Sequence, residues 1–274
     1  MRRFDGKVAV VTGSGRRGGL GEAIAMTLSA EGAIVVISDI GSSQDASTPG
    51  AMIGETAEMA AIAGEMPGAS SCGCEVRDPA QVRALAAHAV NRHGGLDIWV
   101  NNAGIGYIMK PLMEVTPDDW RAVIDVNLSG CFYGIQAAAE VMIKQGRGGR
   151  IVNIASQAAK SGFPHAQAYT ASKHGLVGLT RSAAIELGPH GITLNNVCPN
   201  HVTTGLGAWQ NEYFAKVVGA ESVEAYLAAM ASRIPMRRPG LPQDTADAVA
   251  FLCSDEAKYI TAESMNVSGG EEPH

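Results

Sequence analysis

The sequence predicts an α/β fold, a doubly wound parallel sheet of about seven strands with helices on both faces. Three observations point there. Short β-branched runs alternate with Ala-rich stretches of helix length along nearly the whole chain. The runs are continuously apolar, which suits strands covered on both faces better than half-exposed ones. A glycine-rich turn joins the first run directly to the first helical stretch. Such alternation builds right-handed βαβ units, and these close into a parallel sheet.

Taken in order, the strand segments are residues 8–11, 34–38, 70–76, 98–101, 150–154, 192–197 and 264–267. Helical stretches lie between them, notably residues 22–31, 80–92, 118–144 and 167–187. Residues 41–50 (GSSQDASTPG) form a polar loop after the second strand. Residues 205–236 break the alternation, carrying Trp209, Tyr213, Phe214 and Tyr226. A long insertion between sheet elements is usually functional, and this one reads as one or two helices forming a lid; a packed surface excursion or an oligomer contact is the other reading. No domain boundary interrupts residues 1–274, an ordinary length for one such sheet.

Composition narrows the class. Hydrophobic residues make up 46% and charged residues 18%, enough apolar surface for a large core. Lys and Arg total 21 against 27 Asp and Glu, so no basic footprint suggests nucleic acid or an anionic membrane as a partner. The strand at residues 8–11 follows Met1 too closely for a signal peptide, and no apolar run approaches the roughly 18 residues that span a bilayer. A soluble, cytoplasmic protein is expected. Cys72, Cys74, Cys131, Cys198 and Cys253 form no disulfide framework, and no histidine pair with ligand spacing lies near Cys72 and Cys74, so no metal is expected.

Four motifs carry chemistry. Thr12-Gly13-Ser14-Gly15-Arg16-Arg17-Gly18-Gly19-Leu20-Gly21 runs from strand to helix. Glycines there let backbone N–H groups approach a pyrophosphate at the positive end of a helix. Asp39 ends the second strand, where a carboxylate can hold adenosine ribose hydroxyls and repel the extra phosphate of NADP. A unit charge pair ~4 Å apart is worth roughly 4 kcal/mol at an effective dielectric near 20. Arg16 and Arg17 pull the other way, since a guanidinium can pair with that phosphate. A carboxylate fixed on a strand end outweighs a solvated arginine, so NAD is expected over NADP.

Tyr169 and Lys173 stand four apart within a helical stretch, which puts both side chains on one face. An ordinary phenol is protonated at neutral pH. An ammonium ~5 Å away favours the phenolate by roughly 3 kcal/mol, so such a pair suits proton transfer. Alone it is also what a surface pair looks like. Ser156, just past the strand at residues 150–154 and thirteen residues before Tyr169, changes its weight. So do Asn127 within a long helix and Asn101-Asn102-Ala103-Gly104 at the end of the fourth strand.

Together these motifs, in this order from Gly6 to Gly270, closely resemble the short-chain dehydrogenase/reductase family. The resemblance implies a Rossmann-like dinucleotide-binding and catalytic domain that transfers hydride between a nicotinamide cofactor and a secondary alcohol or ketone. It implies that Tyr169 exchanges a proton with the substrate hydroxyl and that Ser156 hydrogen-bonds the same oxygen. Lys173 would favour the tyrosinate and hold the nicotinamide ribose, and Asn127 would support a proton-relaying water. Gly13, Gly19, Leu20 and Gly21 would cradle the cofactor and Asn102, Ala103 and Gly104 would border it. Glu75 and Val76 would meet adenine, and Pro199, Val202 and Thr204 the carboxamide end. The resemblance further implies a homotetramer or homodimer, with the helices at residues 118–144 and 167–187 paired across a two-fold axis.

Departures from the family pattern fall elsewhere. The glycine loop is two residues longer than usual, Glu75 replaces aspartate, Asn200 follows Pro199 in place of glycine, and Ser268 precedes Gly269-Gly270 in place of aspartate. His165 and His201 are either pocket-lining or surface residues, while Met109, Phe163, Trp209 and Phe214 are candidates for an apolar wall. Two rival functions stay open: an NADPH-dependent biosynthetic ketoreductase, for example of the 3-oxoacyl type, and a nucleotide-binding sensor without catalysis.

Overall fold

A computed structural model of the chain describes residues 2–41 and 53–273, with all side chains in those spans except residues 205–209. The polar loop expected at residues 41–50 lies outside the described residues beyond Gly41, as does the side chain of Trp209. The strands are β1 (Val8–Thr12), β2 (Ile34–Asp39), β3 (Ser70–Gly73), β4 (Ile98–Asn101), β5 (Gly149–Ile154), β6 (Ile192–Pro199) and β7 (Ser264–Val267). They form a seven-stranded, wholly parallel sheet in the order β3-β2-β1-β4-β5-β6-β7.

Side-chain alternation explains why the strands read as continuous apolar runs. Ala9 and Val11 of β1 pack into the core on one face, with Val35, Ile37, Ile98, Val100 and Val152. Val8 and Val10 point to the other face and join Val36, Trp99 and Ile151. Both faces are therefore covered, which is why apolar residues dominate the strands. The first face is covered by α1 (Leu20–Ala30), α2 (Thr56–Gly64) and α9 (Pro242–Cys253), through Ile24, Leu28, Met59, Ile62 and Val249. The second is covered by α3 (Pro79–His93), α5 (Gly130–Gln145) and α6 (Gln167–Leu187), through Val82, Leu85, Ile135, Met142 and Leu187.

Two elements differ from the sequence expectation. The third strand stops at Gly73 instead of continuing to Val76. The Glu75 N–H turns away to Gln81 Oε1 at 3.0 Å, and Asp78 N–H closes a turn on Glu75 O, so the chain bends out of the ladder toward α3. The long helix expected at residues 118–144 is interrupted. It comprises α4 (Pro117–Ile124), a π turn at Asp125–Ser129, and α5. Such π turns widen a helix by one residue and are frequent at functional positions.

Between β1 and β4 the strand order reverses: the chain builds outward through β2 and β3, then returns beside β1 to build the other way. Loops leaving the carboxyl ends of β1 and β4 therefore diverge and leave a crevice, the usual ligand position in an open α/β sheet.

Candidate active site

The glycine loop leaves β1 and is packed too closely for side chains. Gly13 has φ of 63°, and a Cβ there would lie 2.7 Å from Ala103 Cα. A Cβ on Gly21 would lie 2.5 Å from Asn102 Nδ2 and collide with Gly13 O. That approach is fixed by Asn102, whose Nδ2 donates to Thr12 O and Gly13 O at 2.8 Å each. Thr12 Oγ1 accepts from the N–H groups of Asn102 and Ala103 at 3.1 Å each. Gly19 caps α1 without a side-chain hydrogen bond, so the helix opens with backbone N–H groups suited to an anion. These close glycine approaches fit a bound dinucleotide pyrophosphate.

Asp39, at the end of β2, accepts from Ile40 N–H at 2.9 Å and Gly15 N–H at 3.2 Å. Burial pushes its pKa above the ordinary carboxylate value, against the lowering effect of these N–H groups and of Arg16. Arg16 lines the same cavity as Asp39. Arg17 is turned away, its guanidinium bonded to Glu22 and Glu65.

At the other end, Ser156 follows β5 and caps a short 3-10 turn, its Oγ accepting from Ala158 N–H at 3.1 Å. A hydroxyl that accepts still has its own proton to donate. Tyr169 and Lys173 share one face of α6, with Lys173 Nζ 5.6 Å from the centre of the Tyr169 ring. Lys173 is buried and donates to Ile154 O at 2.8 Å, which leaves further ammonium protons for other acceptors. Asn127 is fully buried in the π turn. Its Oδ1 accepts from Ile105 N–H at 2.8 Å, and its Nδ2 donates to Ile105 O at 2.9 Å. A Cβ on Gly104 would lie 3.3 Å from Asn127 Oδ1 and 3.8 Å from Lys173 Nζ, so the two side chains meet beside Gly104.

One cavity of about 1530 Å³ joins these parts. Gly13, Gly19, Leu20, Gly21, Asp39, Glu75, Val76, Asn102, Ala103 and Gly104 line it, as do Ser156, Tyr169, Lys173, Pro199, Val202 and Thr204. Asn127 stands behind this lining. Glu75 reaches the wall with its carboxylate already clasping Arg77, through the backbone N–H at 3.0 Å and Nη2 at 2.8 Å.

Residues 205–236 supply α7 (Gly205–Val217) and α8 (Val223–Arg233). Helix α7 packs against the segments around Gly106 and Phe163–His165. Gln210 Nε2 donates to Gly106 O at 2.9 Å, and Tyr213 OH bonds His165 Nδ1 at 2.8 Å. Phe214 meets Phe163 edge-on at 5.6 Å, and Phe163 meets the Tyr169 ring at 6.4 Å. Met109, Phe163 and Phe214 therefore do gather around the site, whereas His165 serves as an anchor for α7.

Gln157, Gln210, Arg233 and Glu271, which no motif marked, line the cavity, as does Tyr226 of the segment at residues 205–236. Gln157, directly after Ser156, carried the only available signal. Among the described residues, no group of three His, Cys, Asp or Glu side chains is arranged to hold a metal ion, and no helix is long and apolar enough to cross a membrane.

Known proteins agree with this architecture. A family model described as enoyl-(acyl carrier protein) reductase matches residues 13–272. The L-2,3-butanediol dehydrogenase of Corynebacterium glutamicum is 36% identical over 267 residues, covering 96% of this chain and 98% of its own. Among solved structures, an actinorhodin polyketide ketoreductase with NADPH aligns with a TM-score of 0.87 at 34% identity, over 100% of both chains. An NAD+-bound xylitol dehydrogenase aligns with a TM-score of 0.85 at 31% identity, over 98% of this chain and 100% of its own. The chain belongs to the short-chain dehydrogenase/reductase family and is an oxidoreductase of the kind that binds a nicotinamide cofactor.

Proposed function

We propose that the protein is an NAD-dependent dehydrogenase or reductase that interconverts a secondary alcohol and its ketone, with Tyr169 as general acid and base. The observation that carries this reading is one cavity lined by Asp39 and the glycine loop as well as by Ser156, Tyr169 and Lys173. A bound nicotinamide supplies the two-electron acceptor for the alcohol and the donor for the ketone. In oxidation, Tyr169 takes the hydroxyl proton while Ser156 donates to the same oxygen and holds it in place. Lys173, beside the Tyr169 ring and bonded to Ile154 O, offers its remaining N–H groups to the cofactor ribose. Asn127, fixed on the Ile105 backbone, supports a water that passes protons from Lys173 outward.

NAD is favoured over NADP because Asp39 is held rigidly by backbone N–H groups and Arg17 is engaged by Glu22 and Glu65. The NADPH ketoreductase reading draws on Arg16, which lines the cavity. Residues 205–236 act as the substrate lid of one catalytic domain. The protein works as a homotetramer or homodimer in the cytoplasm on a small alcohol or ketone.

Tyr169→Phe tests the mechanism. Turnover of secondary alcohols with NAD, followed by nicotinamide absorbance, should fall by at least about a hundredfold, with NADH binding retained by fluorescence. Near-normal turnover would remove Tyr169 from its role.

A further inference from the structure

The cavity wall includes a carboxylate from the segment after β7. After β7 the backbone turns through Gly269 and Gly270, with φ of 62° and 91°, a left-handed pair that glycine adopts without strain. A Cβ on Gly269 would lie 2.8 Å from Ile234 Cγ2, and one on Gly270 would lie 3.1 Å from Pro235 Cγ, so the turn is pressed against the segment leaving α8. Met236 N–H donates to Gly269 O at 3.2 Å and fixes the register. This places Glu271 in the cavity wall. The next residue, Glu272, accepts from Gln157 Nε2 at 3.2 Å, and Gln157 adjoins Ser156. The tail is thus tied to the turn that carries Ser156.

The two oxygens of Glu271 are used unequally. Oε2 accepts from Asn200 Nδ2 at 2.5 Å and faces His201 Nε2 at 3.5 Å. Oε1 has Arg233 Nε at 3.9 Å, too long for a hydrogen bond. Burial lowers the pKa of His201 below its ordinary value, so the imidazole gives up its positive charge more readily than an exposed one. A carboxylate with spare acceptor capacity in a cavity wall selects for a donor. An anionic substrate group would be repelled by Glu271, and a cationic one by Arg233. A neutral hydroxyl suits both, since it donates to the carboxylate and accepts from the guanidinium.

Resting on the dehydrogenase reading above, we propose that Glu271 is a specificity-determining residue that accepts a hydrogen bond from a second hydroxyl of the substrate. The enzyme then acts on diols, polyols and their hydroxyketones in preference to simple secondary alcohols.

The test compares kcat/KM for butan-2-ol, butane-2,3-diol and a hexitol in the wild type, Glu271→Gln and Glu271→Asp. In the wild type at least one polyhydroxylated substrate should exceed butan-2-ol by about tenfold or more. That advantage should collapse toward parity in Glu271→Gln, and also in Glu271→Asp, which keeps the charge but withdraws the oxygen by one methylene. Thermal unfolding and NADH binding check that each variant is folded. Equal proportional losses on all substrates would make Glu271 a tether for the lid and overturn the inference. A wild type without preference for a second hydroxyl would overturn it too. If the wild type reduced NAD with none of these alcohols, the reaction assigned above would itself fall, a result distinct from either of those.

Discussion

At the scale of single residues, Asp39 bears on the choice of cofactor through one carboxylate. It lines the cavity and accepts from Ile40 and Gly15 N–H groups, which work against the upward push of burial on its pKa. Asp39→Ala should therefore improve kcat/KM for NADP relative to NAD by at least about tenfold, well inside the ~4 kcal/mol a close charge pair can supply. Repulsion needs the ionised form, and burial raises the pKa. As pH falls, the charge is lost earlier than on an ordinary carboxylate, so wild-type discrimination against NADP should narrow on acidification. Steady-state kinetics with both cofactors at two pH values measure this; a cofactor ratio indifferent to the substitution would count against NAD preference. Asp39 could be read from the sequence because a carboxylate at the end of an apolar strand is a local pattern. Glu271 could not, since its partner Asn200 lies 71 residues away.

Helices act as units in two places. The π turn at Asp125–Ser129 turns Asn127 inward onto the Ile105 backbone, a position that regular helical periodicity across residues 118–144 would not reveal. Helix α7 is held by rings. Phe214 packs on Phe163 at 5.6 Å and on Tyr213 at 5.2 Å, and Phe163 in turn touches Tyr169. Aromatic pairs of this kind are worth roughly 0.5–1.5 kcal/mol beyond their burial. Phe214→Ala should accordingly raise KM about fivefold, with a smaller change in kcat, since the chemistry stays with Tyr169 and Ser156. A KM left at the wild-type value would mean that α7 is surface packing and not a lid.

Across the whole molecule, the sheet is joined by a buried polar line as well as by its apolar faces. Asn101, Asn153, Asn196 and Ser264 stand in register on adjacent strands. Asn101 Nδ2 donates to Asn153 Oδ1 at 2.8 Å, Asn153 Nδ2 to Asn196 Oδ1 at 3.2 Å, and Asn196 Nδ2 to Ser264 Oγ at 2.9 Å. Amides satisfied in this way lock the strand register beside the site, where an unpaired one would cost roughly 1–3 kcal/mol. The outer helix faces carry a different message. Phe132 and Ile143 on α5 and Ile185 on α6 are exposed, Ile185 at 76%. These are the helices expected to pair between subunits, so Ile185→Glu should shift the protein to a smaller species in light scattering. A mass unchanged by the substitution would remove α6 from the subunit interface.

The sequence by itself determined what is local in the chain. Apolar runs two-sided in their burial, glycines where backbone meets backbone, and a Tyr–Lys pair one helical turn apart are all set by short-range periodicity and sterics. From these the sheet and the cofactor crevice were legible, while Ser156 and Asn127 joined the Tyr169–Lys173 pair through the order of motifs that resembles the family. Tertiary structure alone decided where the third strand stops, how Asn127 is turned, that Arg17 is drawn off to Glu65, and that the chain's end folds back to set Glu271 in the cavity wall. Each of these depends on contacts between segments distant in sequence, and such contacts are won by packing and charge pairing that leave no period or motif behind.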